Sequence, residues 1–155
     1  MNAPTKTSAE PLRLFAVDGE DVEVLSAAMQ DAIFRVGDMA YLPAQRRFAM
    51  VGCRFDWLAA ACSGKAERTR AGLHFDSVQK AALSGFDPKN RETTLNLLGI
   101  TFSQEEAPGG VVELVFSGGA AVRLHVECID AQLRDLGERW SARAVPGHPL
   151  GETAK

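Results

Sequence analysis

The stretch GVVELVFSGGAAVRLHVECIDAQLRDLGERW, Gly110 to Trp140, decides the fold. In its first half Val112, Leu114 and Phe116 alternate with Val111, Glu113 and Val115. After Gly118-Gly119, Val122, Leu124, Val126 and Cys128 alternate with Arg123, His125 and Glu127. Period-two alternation marks a half-buried strand pair. Residues opposite each other in an antiparallel pair share a face, so a turn over Gly118 to Ala120 sets Phe116 against Val122, Leu114 against Leu124 and Val112 against Val126. A two-residue turn would oppose Leu114 to Arg123 and is rejected. Next, Asp130 has the side chain of a good N-cap, Leu133, Leu136 and Trp140 recur on one helical stripe, and Ile129 fixes the entry. Together they predict a C-terminal amphipathic helix packed on the hairpin.

Upstream, Leu12 to Val17 (LRLFAV) reads as a short strand. Asp18 then serves as N-cap with Asp21 at the capping-box position, and Val22, Leu25 and Met29 follow at helical spacing, predicting a helix over about Gly19 to Gln30. The acids of its first turn, Glu20, Asp21 and Glu23, suit the positive end of the helix dipole. From Ala32 to Trp57 the chain reads as a second hairpin around Pro43-Ala44-Gln45-Arg46, because proline presets the dihedral of a type I turn. Pairing Leu42 with Arg47 opposes Tyr41 to Phe48, Met39 to Met50, Val36 to Cys53 and Phe34 to Phe55. It also opposes Gly37 to Gly52 where the apolar face switches, the mark of a bulged, coiled ribbon.

Leu58 to Thr69 reads as a loop, and Arg70 to Phe86 as a strand that slips near Asp76-Ser77. Asp87-Pro88-Lys89-Asn90 is a turn, Thr93 to Ser103 is a strand, and Gln104 to Gly110 is a polar loop. The class expected is therefore α+β: a strongly bent, mostly antiparallel sheet of about seven strands, an open barrel or sandwich, with a helix after strand 1 and the C-terminal helix packed on it. One globular domain over residues 12–140 is expected, between a flexible lead (1–11) and a flexible tail (141–155).

The 155 residues, 46% of them apolar, suffice to bury a core without staples. A net charge of -3 from 17 basic and 20 acidic residues gives no overall pull toward nucleic acid or an anionic membrane. Cys53, Cys62 and Cys128 are odd in number and widely spaced, which points to reduced thiols rather than a disulfide framework or a CxxC metal knuckle. With no signal-like or membrane-spanning apolar run, a cytoplasmic protein without membrane insertion is expected.

Two stretches, AVDGEDVEVLSAAMQDAIFRVGDMAYLPAQRRFAMVGCRFDW and GVVELVFSGGAAVRLHVECIDAQLRDLGERW, resemble a proteobacterial family known only as a domain of unknown function, over about Leu12 to Trp140. That resemblance implies a bacterial source and no particular activity. More loosely, antiparallel strands closed by a C-terminal helix resemble a pleckstrin-homology-like (PH-like) barrel, which implies ligand, lipid or protein binding. The acidic run DGEDVE stands where that pattern places basic phosphoinositide ligands.

Four arginines make the concentrated basic feature: Arg46 and Arg47 at the tip of the second hairpin, and Arg35 opposite Arg54 further down it. They are candidates to receive an acidic partner. His74 and Asp76 share a strand face, and with Cys53 they would form a nucleophile, base and orienter set. His125, opposite Glu113 and near Arg123 and Glu127, is accounted for by a cross-strand ion pair, since a zinc site there lacks a third well-spaced ligand. Neither Gly109-Gly110 nor Gly118-Gly119 begins a phosphate-loop pattern. The function expected is a non-enzymatic binding or adaptor module for a protein or small ligand, with homodimerisation through a strand edge as a further option. No cofactor, metal or nucleic acid is called for. The second reading is a small enzyme built on Cys53, His74 and Asp76.

Overall fold

The computed structural model describes residues 11–64 and 66–142. The chain runs β1 (Arg13–Ala16), α1 (Gly19–Met29), β2 (Ile33–Leu42), β3 (Arg47–Phe55), α2 (Trp57–Ser63), β4 (Glu67–Phe75), β5 (Val78–Ser84), β6 (Thr94–Gln104), β7 (Gly110–Phe116), β8 (Ala121–Val126) and β9 (Ala131–Ser141). The nine strands form one antiparallel sheet in the order β1-β9-β4-β3-β2-β6-β7-β8-β5.

The expected class is overturned at the C-terminus. The segment read as a closing helix is β9, an interior strand between β1 and β4, so the protein is a mostly antiparallel, open sheet with few helices rather than α+β on about seven strands. The PH-like pattern, which ends in a helix, does not describe it. The physical reason lies in the inward row of β9. Ala131, Leu133 and Asp135 are buried and alternate with Gln132, Arg134 and Leu136, but the third inward residue is an acid, which hides the alternation. Leu136 and Trp140, placed on the helical stripe, are 47% and 43% exposed. Asp130 caps nothing there; its carbonyl accepts from the Asp76 amide at 2.8 Å.

Asp135 is tolerated inside because Arg54 of β3 meets it in a two-pronged pair, Nε to Oδ1 at 2.7 Å and Nη2 to Oδ2 at 2.8 Å. Oδ2 also accepts from the Leu12 amide at 2.8 Å, which ties the start of β1 to β9. Arg139, farther along β9, reaches Asp56, Glu67 and Asp135, so one charged network closes this end of the sheet.

The β2–β3 hairpin keeps the expected register at its tip, Leu42↔Arg47, Tyr41↔Phe48 and Met39↔Met50. It then breaks. Residues 35–38 of β2 stand against Val51 alone, and pairing resumes at Phe34↔Gly52 and Ile33↔Cys53 instead of the expected Phe34↔Phe55 and Val36↔Cys53. The two glycines therefore do not face each other. Gly37 is held by Arg91, whose carbonyl accepts its amide and whose guanidinium donates to its carbonyl, while Gly52 lies beneath the Phe34 ring. In the β7–β8 hairpin the predicted faces hold but the pairing is shifted by two residues, Leu114↔Val122 and Val112↔Leu124, with Glu113 opposite Arg123. The turn has the expected three residues but sits one residue earlier, over Ser117–Gly119, closed by the Phe116 amide donating to the Ala120 carbonyl at 2.9 Å.

Two features bend the sheet over its core. β6 pairs with β2 through Thr94, Leu95 and Asn96 and with β7 from Leu97 onward. The β4·β9 and β5·β8 ladders meet at a corner where the Glu127 amide donates to the Ser77 carbonyl at 3.0 Å. Phe34, Phe75, Leu114, Phe116, Val122 and Leu133 thereby share one core. Helix α1 starts as expected, with Asp18 accepting from the Asp21 amide and Asp21 accepting from the Val17 amide, both at 2.9 Å. It buries Val22, Leu25 and Met29, and its Ser26 hydroxyl accepts from the Ile100 amide of β6. Of the expected lead and tail, residues 1–10 and 143–155 lie outside the described part, and Ser141 belongs to β9.

Candidate recognition face

The four strands β1, β9, β4 and β3 turn one face to the core and the other to solvent. Alternation assigns the side chains: Arg13 and Phe15 on β1, Gln132, Arg134 and Leu136 on β9, Arg70, Gly72 and His74 on β4, and Ala49, Val51 and Cys53 on β3 all point outward. One row across the strands runs Val51–Gly72–Arg134–Arg13 and the next runs Ala49–His74–Gln132–Phe15. Because Gly72 has no side chain and Ala49 is small, a shallow groove of about 280 Å³ opens there, walled by Leu136, His74 and Arg134.

The charge on this face is unbalanced. Among the described residues, Arg35, Arg46, Arg47, Arg54, Arg123 and Arg139 are paired with carboxylates, and Arg68 and Arg91 donate to backbone carbonyls. Arg13, Arg70 and Arg134 are exposed and have neither kind of partner among the described residues. Arg13 and Arg134 are directly opposed in the ladder, a like-charge arrangement that disfavours the pairing by up to about 1 kcal/mol.

The residues singled out from sequence fall elsewhere or only in part on this face. Arg46 pairs with Glu127, and Arg35 with Asp38 at 3.3 Å and Glu92 at 3.2 Å. Arg47 grips Asp76 at 2.6 Å, and Arg54 is buried against Asp135. Arg35 is opposite Thr94 and Arg54 opposite Thr69, so the structure does not bring these two together. His74 and Asp76 do meet, Nε2 to Oδ2 at 3.6 Å, at the rim of the groove. Burial, aided by the Arg47 charge, holds the His74 pKa below its ordinary value against the opposing pull of Asp76 and Asp130. Cys53 is on the same face but opposite Arg70, while His74 is opposite Ala49, so four residues of strand, roughly 13 Å, separate the thiol from the imidazole.

His125 is opposite Val111 and Lys80 rather than Glu113, and it lines a second cleft of about 540 Å³ with Glu105, Glu106, Glu127 and Gln79. Glu127 is held below its ordinary pKa by hydrogen bonding to Arg46. No group of three or more His, Cys, Asp or Glu among the described residues is arranged to hold a metal ion. No helix there is long and apolar enough to cross a membrane.

Arg13, Arg70 and Arg134 escaped the sequence reading because they are far apart in the chain and the strand that joins the other two, β9, was taken for a helix. The signal was present as i, i+2 pairs: Arg13 with Phe15, Arg70 with Gly72, and Arg134 with Leu136, each visible once the segment is taken as strand. No curated protein and no solved structure matches the chain. A family model described as a protein of unknown function, DUF2948, matches residues 12–148, and the chain belongs to that family.

Proposed function

We propose that this protein is a non-enzymatic binding module that recognises a protein partner through the outer face of β1, β9, β4 and β3. The observation that carries the reading is the set Arg13, Arg70 and Arg134: the arginines without a carboxylate or carbonyl partner among the described residues converge on one face, around a groove with apolar walls. Exposed Phe15 and Leu136 flank them and add area to desolvate. A second copy of the chain is a poor occupant, since two such faces would set arginines against arginines. The module works in a bacterial cytoplasm, where free Cys53, Cys62 and Cys128 stay reduced.

The test is affinity capture from lysate with the wild-type protein and the variant Arg134→Glu. The expected result is a stoichiometric partner held by the former and lost from the latter. Capture of the same proteins by both forms refutes the reading.

A further inference from the structure

We infer that the occupant of this face is an extended, acidic polypeptide segment carrying an apolar residue two positions from a carboxylate, a reading that rests on the proposed binding role. Neighbouring strands lie about 4.8 Å apart, so along the row Gly72–Arg134–Arg13 the point between the two guanidinium-bearing strands is roughly 7 Å from Gly72. An extended chain repeats its side-chain direction every two residues, also about 7 Å. An apolar side chain lowered onto Gly72, against Leu136 and Val51, therefore delivers the carboxylate two residues on between Arg134 and Arg13.

Guanidinium forks take carboxylates in two-pronged pairs, and such a carboxylate relieves the like-charge opposition in the β1·β9 ladder. Arg70, two residues from Gly72 along β4, flanks the apolar site and meets a further acid. The pit exists because position 72 is glycine: a Cβ there would meet Leu136 Cδ1 at 3.2 Å, the end of a side chain free to move away from it. A small inorganic anion would engage the arginines and leave the apolar part of the groove empty, which is why a peptide rather than a phosphate is assigned.

The experiment is fluorescence anisotropy with a fluorescein-labelled peptide Ser-Leu-Thr-Glu-Ser-Ser-Leu-Thr-Glu-Ser and a permuted peptide of the same composition that separates leucines from glutamates. Tripolyphosphate and an oligothymidylate serve as competitors. The matched peptide is expected to bind at least about ten-fold more tightly than the permuted one and to weaken with salt. Arg134→Glu should abolish binding while raising the melting temperature, because it turns the Arg13–Arg134 opposition into an ion pair. Gly72→Val should weaken binding about ten-fold with the fold intact.

Equal affinity for the two peptides, or displacement of the matched peptide by either polyanion at lower concentration than by unlabelled peptide, overturns the inference. If Arg134→Glu loses the lysate partner and yet neither peptide binds the wild type, the peptide assignment falls and the binding face stands. If Arg134→Glu keeps the partner, the face itself falls.

Discussion

Removing Asp135 should unfold much of what the sheet gains from β9. The Arg54 and Asp135 side chains are only 5% and 3% exposed, so an Asp135→Leu variant leaves a guanidinium inside without its counter-ion. Breaking such a buried pair costs about 3–5 kcal/mol. The Leu12 amide loses its acceptor as well, adding about 1–3 kcal/mol. Against a stability of about 5–15 kcal/mol for a domain of this size, the combined loss of about 4–8 kcal/mol takes from roughly a quarter to all of it. Arg54→Met should be milder, near the lower end of the first range, because Asp135 keeps the Leu12 amide and has Arg139 at 3.9 Å. The double variant Arg54→Met/Asp135→Leu removes both charges and should recover at least about 2 kcal/mol relative to the sum of the two single losses. Urea unfolding, with the slope checked for constancy, measures all four forms. Additive losses in the double variant, or singles that each cost under about 1 kcal/mol, would refute the claim that the pair is what makes an acid tolerable inside β9.

Gly52→Ala should destabilise by about 3 kcal/mol or more, since a Cβ there would lie 2.4 Å from Phe34 Cδ1 and 2.5 Å from the Ile33 carbonyl oxygen. Gly99→Ala, with its nearest contact at 3.5 Å, serves as the tolerated control in the same urea series. His74 titrates below the ordinary 6.5 in the folded state, so its contribution to stability is present above 6.5 and is lost as pH falls through the folded value. Urea midpoints at neutral and mildly acidic pH should fall less for His74→Gln than for wild type, and an NMR titration midpoint above 6.5 would contradict this. Arg46→Ala should let the Glu127 carboxyl rise back toward 4.5, seen by NMR titration; an unchanged midpoint would show that the Arg46 hydrogen bond does not set it.

The sequence showed most where one period ran without interruption. α1 could be read from Asp18 and from Val22, Leu25 and Met29, and the tip of the β2–β3 hairpin from Pro43. β7 and β8 could be read from their valines and leucines, although the three-residue turn between them sits one residue earlier than the glycines alone indicate. β9 was illegible because an inward charge is intelligible only through Arg54, a residue 81 positions away. The break in β2 was half legible: Gly37 and Gly52 marked an irregularity, but their partners, Arg91 and Phe34, are set by tertiary contacts. The recognition face shared that fate. Its arginines lie on three strands that are neighbours only once β9 is inserted between β1 and β4.

The position of β9 carries a consequence for synthesis. A ribosome delivers the chain in order, yet β9, the last of the described strands to emerge, is an interior one, flanked by β1, the first of them, and by β4. Until Ser141 is out of the exit tunnel, β1 has no ladder to join and β4 keeps one raw border, two adhesive seams on an otherwise assembled sheet. Premature stop codons before or within β9 would thus yield sticky fragments rather than a slightly shortened protein, and nascent chains paused there would lean on chaperones.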